Sequence, residues 1–202
     1  MSDSELWELV SHGREERNLE YKRSMSWHEP ETKAKITKSV MAMANIPDGG
    51  TIIIGMEKEG ELYLARGMEV EDARSFQQDD VMEHVNEWAD PYVELTVKLL
   101  RDDAKEFACI QVREFDQLPV VCKKDGIGGL KRGAFYARSR RKYETAQVGS
   151  QSAMREILEL AVDKAVDKET RRLRERGLIH EVQLMAPSEA DRKAFDEQSG
   201  GL

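Results

Sequence analysis

The stretch GREERNLEYKRSMSWHEP, residues 13–30, crowds acidic and basic side chains into ten positions. The charged side chains are, in order, Arg14, Glu15, Glu16, Arg17, Glu20, Lys22 and Arg23. Carboxylates this close repel one another unless positive charge lies between them. Charged runs of this kind are usually solvated surface, and the alternative is a site that holds carboxylates and cations together for chemistry.

The spacing of Glu15 and Glu20 sets a condition on any shared site. On a straight strand, side chains five residues apart point to opposite faces, and on a helix they lie about 140° apart. The two carboxylates can therefore converge only if the chain bends between them. Gly13, together with the change from helix to strand described below, leaves room for that bend.

A second concentration of charge lies in LKRGAFYARSRRKYE, which has no acidic residue before Glu144. Its cations are Lys131, Arg132, Arg138, Arg140, Arg141 and Lys142, and Phe135, Tyr136 and Tyr143 are interleaved with them. Clustered cations neutralise phosphates and aromatic rings stack on bases, so the segment is typical of a nucleic-acid contact. A charged strand edge that blocks aggregation is the alternative.

Local signals predict the elements that would position these groups. Ser2 and Glu5 have the spacing of a capping box, and Gly13 can end the helix that they begin. Residues 18–22 alternate between polar and apolar side chains, which predicts a strand. Pro30 opens a second helix, and the turn PDGG that follows it leads into the strand TIIIG.

Hairpins dominate the rest of the chain. MEKEG joins TIIIG to ELYLARG, RDDAK joins PYVELTVKLL to EFACIQVREF, and DGIGG joins LPVVCKK to LKRGAFYARS. Helices are predicted over residues 72–89 and 152–176. This order predicts an α+β fold, a mostly antiparallel sheet with helices on one face and at its ends, and a long C-terminal helix. We expect a domain over residues 1–148, an amphipathic helix over 149–180, and a polar, disordered tail over 181–202.

Composition narrows the function classes. The net charge of −8 argues against a surface that coats nucleic acid as a whole, so only a local basic patch could bind it. The chain lacks an apolar run of about 18 residues and a basic, apolar N-terminal signal, so we expect a cytoplasmic protein with no membrane partner. Cys109 and Cys122 are expected to be buried free thiols. PDGG follows a helix instead of preceding one, and there is no Walker-type sequence, so no nucleotide cofactor is expected.

Taken together, these segments resemble the Schlafen AlbA_2 domain. EERNLEYK, residues 15–22, is similar to the signature E-S-x-x-x-E-[FY]-K that opens the domain. The later motifs of the domain also occur here in the family's order. They are AMAN, then GG, then the strand TIIIG with an acidic residue after it, then LPVV, and last a glycine followed by FYARS. The resemblance covers about residues 5–148. It implies an α+β domain that binds nucleic acid.

In Schlafen-type members that cut tRNA or rRNA, the resemblance implies a site of three carboxylates, which here are Glu15, Glu20 and Glu57. Hard oxygen ligands of this kind suit Mg²⁺ or Mn²⁺, which can activate water and neutralise charge on a scissile phosphate. Lys22 would either stabilise that phosphate or form a salt bridge with Glu20. Arg14, Arg17 and Arg23 would hold the backbone, together with the cations of residues 131–142. The sequence departs from the family pattern in having glutamate at 57 where aspartate is usual, Lys58 after it, and Glu16 in place of a small polar residue.

The leading hypothesis is therefore a nucleic-acid-binding protein that acts on RNA in preference to DNA, with a metal-dependent endoribonuclease site. A non-catalytic module is the alternative, in which the fold serves DNA binding or partner assembly and the acids form salt bridges. A third hypothesis is a homodimer formed through the apolar stripe from Met154 to Leu173, because mammalian Schlafens resemble two such lobes in one chain.

Overall fold

The structure is a computed structural model that describes residues 1–102 and 105–178. Its helices are α1 (Asp3–His12), α2 (Pro30–Ala44), α3 (Val70–Ser75), α4 (Gln78–Trp88) and α5 (Gln151–Glu175). Its strands are β1 (Leu19–Lys22), β2 (Gly50–Ile54), β3 (Met56–Glu59), β4 (Leu62–Ala65), β5 (Ala89–Asp90), β6 (Leu95–Asp102), β7 (Lys105–Val112), β8 (Val121–Cys122), β9 (Tyr136–Arg138) and β10 (Thr145–Gln147).

A four-stranded sheet in the order β1-β2-β7-β6 forms the centre of the fold. Its β2–β7 and β7–β6 pairs are antiparallel, whereas β1 and β2 are parallel. A parallel pair needs a crossover connection, which α2 supplies. Three two-stranded sheets, β3–β4, β5–β8 and β9–β10, complete the strands. The predicted α+β fold with a mostly antiparallel sheet and a long C-terminal helix is confirmed.

The first two helices begin and end where their sequence signals lie. Ser2 and Glu5 form the predicted capping box on α1, and Gly13 ends the helix in the left-handed conformation with φ of 67°. Pro30 occupies the first turn of α2. The side chain of Asn45, just after α2, accepts from the Val120 amide and donates to two backbone carbonyl groups, so it ties the end of α2 to later segments.

Strand β2 is buried on both faces. Ile52 and Ile54 belong to the larger apolar cluster, which also holds the apolar face of α2. Ile53 points the other way, into a second cluster with Leu6 and Val10 of α1. Because successive strand residues alternate between faces, helices cover this strand on both sides, and the loop from α1 to β1 is held against the sheet.

Three predicted elements differ from the structure. MEKEG is predicted to join TIIIG to ELYLARG, but Met56–Glu59 is strand β3, which itself pairs with β4. The helix over residues 72–89 is two helices, α3 and α4, because Phe76 leaves the helix and packs on Trp27, whose backbone amide donates to Ser75 Oγ. The hairpin around DGIGG does not form as a ladder. The two segments are joined by a bridge between Val121 and Phe135, while β8 pairs with β5 and β9 pairs with β10.

The chain divides into two compact units, residues 1–164 and 165–202, and the boundary lies within α5. In the first unit, Ile157 of α5 is buried and Lys164 pairs with Glu114 at 2.6 Å. The predicted tail over residues 181–202 lies outside the described residues. Both cysteines are buried free thiols, as predicted. Within the part of the chain that the structure describes, no helix meets the length and apolarity needed to cross a bilayer.

Candidate functional site

Glu15 and Glu20 lie on either side of one buried guanidinium group. The backbone bends between them, because Glu16 and Leu19 exchange hydrogen bonds of 3.1 and 3.2 Å in a tight turn. The bend returns Glu15 to the side of β1, where its Oε1 accepts from the Tyr21 amide at 3.1 Å. Arg138 Nη2 lies 3.9 Å from Glu15 Oε1, and its Nη1 lies 3.5 Å from Glu20 Oε2. The structure therefore brings the first two predicted acids together through the required bend.

Arg138 is part of the interior and not of the surface. Only 1% of its side chain is exposed. Besides the two glutamates, it donates to the backbone carbonyls of Arg17, Glu16 and Leu19 at 3.1–3.3 Å. The prediction that Arg138 contacts nucleic acid is wrong for this reason. The alternation of β9 contained a signal, since Arg138 is two residues from Tyr136 and shares the face of that buried ring.

Glu20 is buried and fully engaged. Its Oε1 pairs with Lys22 and accepts from Ser39 Oγ of α2 at 3.1 Å, and its Oε2 accepts from Thr145 Oγ1 of β10 at 3.4 Å. Of the two roles predicted for Lys22, the structure shows the salt bridge with Glu20. Sequence analysis missed both hydroxyl residues, because neither lies near the charged stretch in sequence.

Glu15 is held from the side of β4. Tyr63 Oη donates to Glu15 Oε2 at 3.0 Å. Burial raises the pKa of Tyr63 to about 12, and the negative charge of Glu15 adds to that effect. The phenol is therefore a stable donor at neutral pH. Nothing in the sequence around Tyr63 indicated this contact.

Among the described residues, Glu57 does not form a group with the other two acids that could hold a metal ion. It lies on β3, which leaves the central sheet after Gly55 to form the β3–β4 hairpin. Its side chain is 62% exposed and lies 3.5 Å from Arg66. Across residues 1–102 and 105–178, no three acidic, histidine or cysteine side chains are grouped closely enough to hold a metal ion.

The observed donors therefore do not fit the implied Mg²⁺ or Mn²⁺ site. Arg138 and Lys22 already supply positive charge to Glu20, and Arg138 does the same for Glu15. A cation placed between the two carboxylates would have to displace a guanidinium group that is 1% exposed and bonded to three backbone carbonyls.

A groove of about 980 Å³ opens beside this buried cluster. Strands β9 and β10 and the first turns of α5 line it, and we call it the arginine groove. Its arginines are Arg17, Arg138, Arg140, Arg141 and Arg155, and its acids are Glu156 and Glu159. In a protein of net charge −8, this lining concentrates positive charge at one place on the first unit.

One carboxylate in the arginine groove joins two of its arginines. Glu156 Oε1 accepts from Arg140 Nε and Nη2 at 3.2 and 2.9 Å, and it also pairs with Arg17 Nη1. Burial by itself would raise the pKa of Glu156, but the hydrogen bonds from Arg17 and Arg140 outweigh it and lower that pKa. Sequence analysis missed Glu156 and Arg155, because an acid and a base on a charged helix carry no distinguishing signal.

The other predicted phosphate contacts are spread more widely. Arg14, Arg23, Lys131, Arg132 and Lys142 are exposed, and none of them is among the residues that line the arginine groove. Tyr143, next to Lys142, is 39% exposed. The basic segment is thus divided, with Arg140 and Arg141 in the groove and Lys131 and Arg132 elsewhere.

The family described as Schlafen, AlbA_2 matches residues 15–147. The DIP2311 protein from Corynebacterium diphtheriae is structurally similar, with 15% identity, a TM-score of 0.48 and coverage of 76% of this chain and 27% of its own. The N-terminal domain of an ATP-dependent DNA helicase RecG-related protein from Nitrosomonas europaea has 20% identity and a TM-score of 0.43, with coverage of 71% and 95%. No curated protein matches the chain.

Proposed function

The chain belongs to the Schlafen AlbA_2 family, and on this premise we propose that it binds single-stranded nucleic acid, RNA in preference to DNA, along the arginine groove. Family membership suggests a role connected with nucleic acid. The observation that carries the proposal is the lining of the groove, where Arg17, Arg140, Arg141 and Arg155 face two glutamates, while Arg138 is buried and takes no part in binding.

Charge supports binding at this place. Affinity for nucleic acid comes mainly from cations that neutralise phosphates. Guanidinium groups suit phosphates because their planar forks donate paired hydrogen bonds. Arg140 is 71% exposed, and Arg141 is exposed beside it with no side-chain partner within the described residues. Both are therefore accessible to a polyanion although the protein as a whole is acidic.

The polar side chains of the groove support the binding of a flexible single strand that carries ribose hydroxyl groups. Ser139, Gln147, Ser150 and Ser152 lie along the arginine groove among the arginines. Their hydroxyl and amide groups can donate to or accept from a ribose 2′-hydroxyl, the group by which proteins distinguish RNA from DNA. Tyr143, which is exposed and lies outside the groove lining, provides a ring on which an unpaired base can stack where the strand leaves the groove.

The carboxylates favour binding without cleavage. Glu15 and Glu20 are neutralised by Arg138 and Lys22, and Glu57 lies on a separate hairpin. The acids then hold β1, β9 and β10 together and so shape one wall of the arginine groove. The metal-dependent endoribonuclease stays a prediction, and this arrangement lends it less support than it lends to binding.

Fluorescence anisotropy tests the proposal. The probes are a labelled oligouridine of about 12 nucleotides, within the site sizes known for single-strand binders, the matching DNA, and duplex DNA. We expect the oligouridine to bind most tightly, with an affinity that falls steeply as salt rises. Arg141→Ala should weaken binding and reduce the salt slope by about 0.7, the contribution of one phosphate contact on a single strand.

Arg132→Ala is the matched control. It removes an equal charge from the same basic segment but outside the arginine groove, so it should leave affinity close to that of the unchanged protein. If Arg132→Ala weakens binding as much as Arg141→Ala does, the groove is not the site. If none of the probes binds, the proposed function is wrong.

The homodimer stays a separate prediction. Leu158 and Val162 on the first turns of α5 are 53% and 60% exposed, which leaves an apolar strip available to a partner. Light scattering at working concentration measures the mass directly, and a monomer would remove the idea without affecting the binding proposal.

A further inference from the structure

We infer that Arg17 and Arg140 form a phosphate site that the Glu156 carboxylate fills in the unliganded protein, so that a nucleic-acid phosphate must displace Glu156 to bind there. The inference rests on the proposed function and adds to it the position of one phosphate and the group that competes for it.

The hydrogen-bond geometry is that of an occupied anion site. Three N–H groups from two arginines converge on the single atom Glu156 Oε1. Two guanidinium groups repel each other, and they share one location here because an anion lies between them. A phosphodiester also carries one negative charge, on two non-bridging oxygens, and each of these oxygens can accept from one of the two guanidinium forks.

Arg17 is held in position independently of Glu156. Its Nε donates to the Arg138 carbonyl at 3.3 Å, and Arg138 Nε donates to the Arg17 carbonyl at 3.2 Å. Arg138 is itself fixed by Glu15 and Glu20, so this half of the phosphate site is in place before a ligand arrives. A preorganised donor loses little conformational entropy on binding.

Glu156 and Arg140 form the adjustable half. Glu156 is 22% exposed and Arg140 is 71% exposed, so the carboxylate can turn toward solvent while Arg140 remains over the groove. Arg141 and Arg155 line the same cavity and are placed to take neighbouring phosphates of a strand that enters it. A single small anion has no such additional contacts, so the competing carboxylate favours polyanions over free phosphate.

Glu156→Gln tests the inference, because it keeps the size of the side chain and removes its charge. We expect the labelled oligouridine to bind up to about fivefold tighter, in keeping with the loss of the partly exposed ion pairs that Glu156 makes. The salt slope should also steepen, because the carboxylate displaced in the unchanged protein takes up a counterion, whereas the amide of the variant does not. Thermal melting of the variant checks that it is folded.

Glu159→Gln is the matched control, because it removes an equal charge from the same groove. Within the described residues, no hydrogen bond or ion pair links Glu159 to Arg17 or Arg140. This control should tighten binding by less and leave the slope unchanged. If Glu156→Gln behaves like Glu159→Gln, or like the unchanged protein, while the oligouridine still binds, the inference is wrong and the proposed function stands. If no form of the protein binds, both are wrong.

Discussion

Replacing Arg138 with methionine tests whether the buried guanidinium holds the carboxylate site together. The substitution keeps an unbranched side chain but removes the positive charge that lies between Glu15 and Glu20. It also removes the donors to three backbone carbonyls, at Arg17, Glu16 and Leu19. Those carbonyl groups lie at the bend and at the start of β1, so the bend that brings Glu15 and Glu20 together loses its hydrogen bonds.

The size of the effect follows from burial. Removing one partner of a buried ion pair costs about 3–5 kcal/mol, since the remaining charge is left without compensation. Lys22 still pairs with Glu20 in the variant, so we expect a loss near the lower end, about 3 kcal/mol. For a chain of this length, that corresponds to a fall of about 6–12 °C in the melting temperature.

Urea unfolding followed by circular dichroism measures this loss. Arg132→Met is the matched control, because it removes an exposed arginine and should change the free energy of unfolding by no more than about 0.5 kcal/mol. Adding Glu20→Met to Arg138→Met should recover part of the stability, since the buried carboxylate is then removed as well. A loss in Arg138→Met below about 1 kcal/mol, the worth of one ordinary hydrogen bond, would refute the reasoning, as would a double variant that is less stable than the single one.

Three further predictions concern the response of the protein to Mn²⁺, to alkaline pH and to a thiol reagent. Adding Mn²⁺ should not change the melting temperature of the unchanged protein, because Arg138 already lies between the two glutamates. A melting temperature that rises with Mn²⁺ concentration would instead support the metal site. Burial raises the pKa of Tyr21 and of Tyr63 from 10.0 to about 12. Their contribution to the free energy of unfolding should therefore be fully present below pH 10 and be lost as the pH rises toward 12. Alkaline unfolding should show a shallower loss for Tyr63→Phe than for the unchanged protein, and equal curves would contradict this assignment. Burial also raises the pKa of the Cys109 thiol to about 12, so this thiol should react with a disulfide reagent only after unfolding, and rapid labelling of the native protein would be inconsistent with the fold.

Elements with local signals were predictable from sequence. The capping box of α1 and the proline that opens α2 depend on neighbouring residues only, and both helices begin where those signals lie. Strand pairing between segments that are distant in sequence was harder to predict. Strand β9 pairs with β10, residues 145–147, whose three-residue sequence TAQ has too short an alternation to predict a strand. The break between α3 and α4 depends on Phe76 packing against Trp27, a contact that no periodicity shows.

The site shows the same division between local and distant information. Residue spacing showed that Glu15 and Glu20 need a bend to meet, and the bend is present between them. The direction of the hairpin that carries Glu57 away depends on the path of the chain after Gly55, which the sequence does not encode in a recognisable pattern. The pairing of Arg140 with Glu156 joins a loop to a helix 16 residues later, and many such pairings were equally compatible with the sequence.

Mapping the position of a bound strand tests the central claim most directly. A 4-thiouridine-labelled oligouridine is cross-linked to the protein, and the modified peptides are identified by mass spectrometry. We predict cross-links within the segments 137–141, 146–153 and 155–157, which line the arginine groove. A second cavity, of about 610 Å³ and lined by Glu16, Asp48 and Glu94 among others, provides an internal comparison. Cross-links confined to that cavity, or to the segment around Lys131 and Arg132, would contradict the assignment of the arginine groove as the nucleic-acid site.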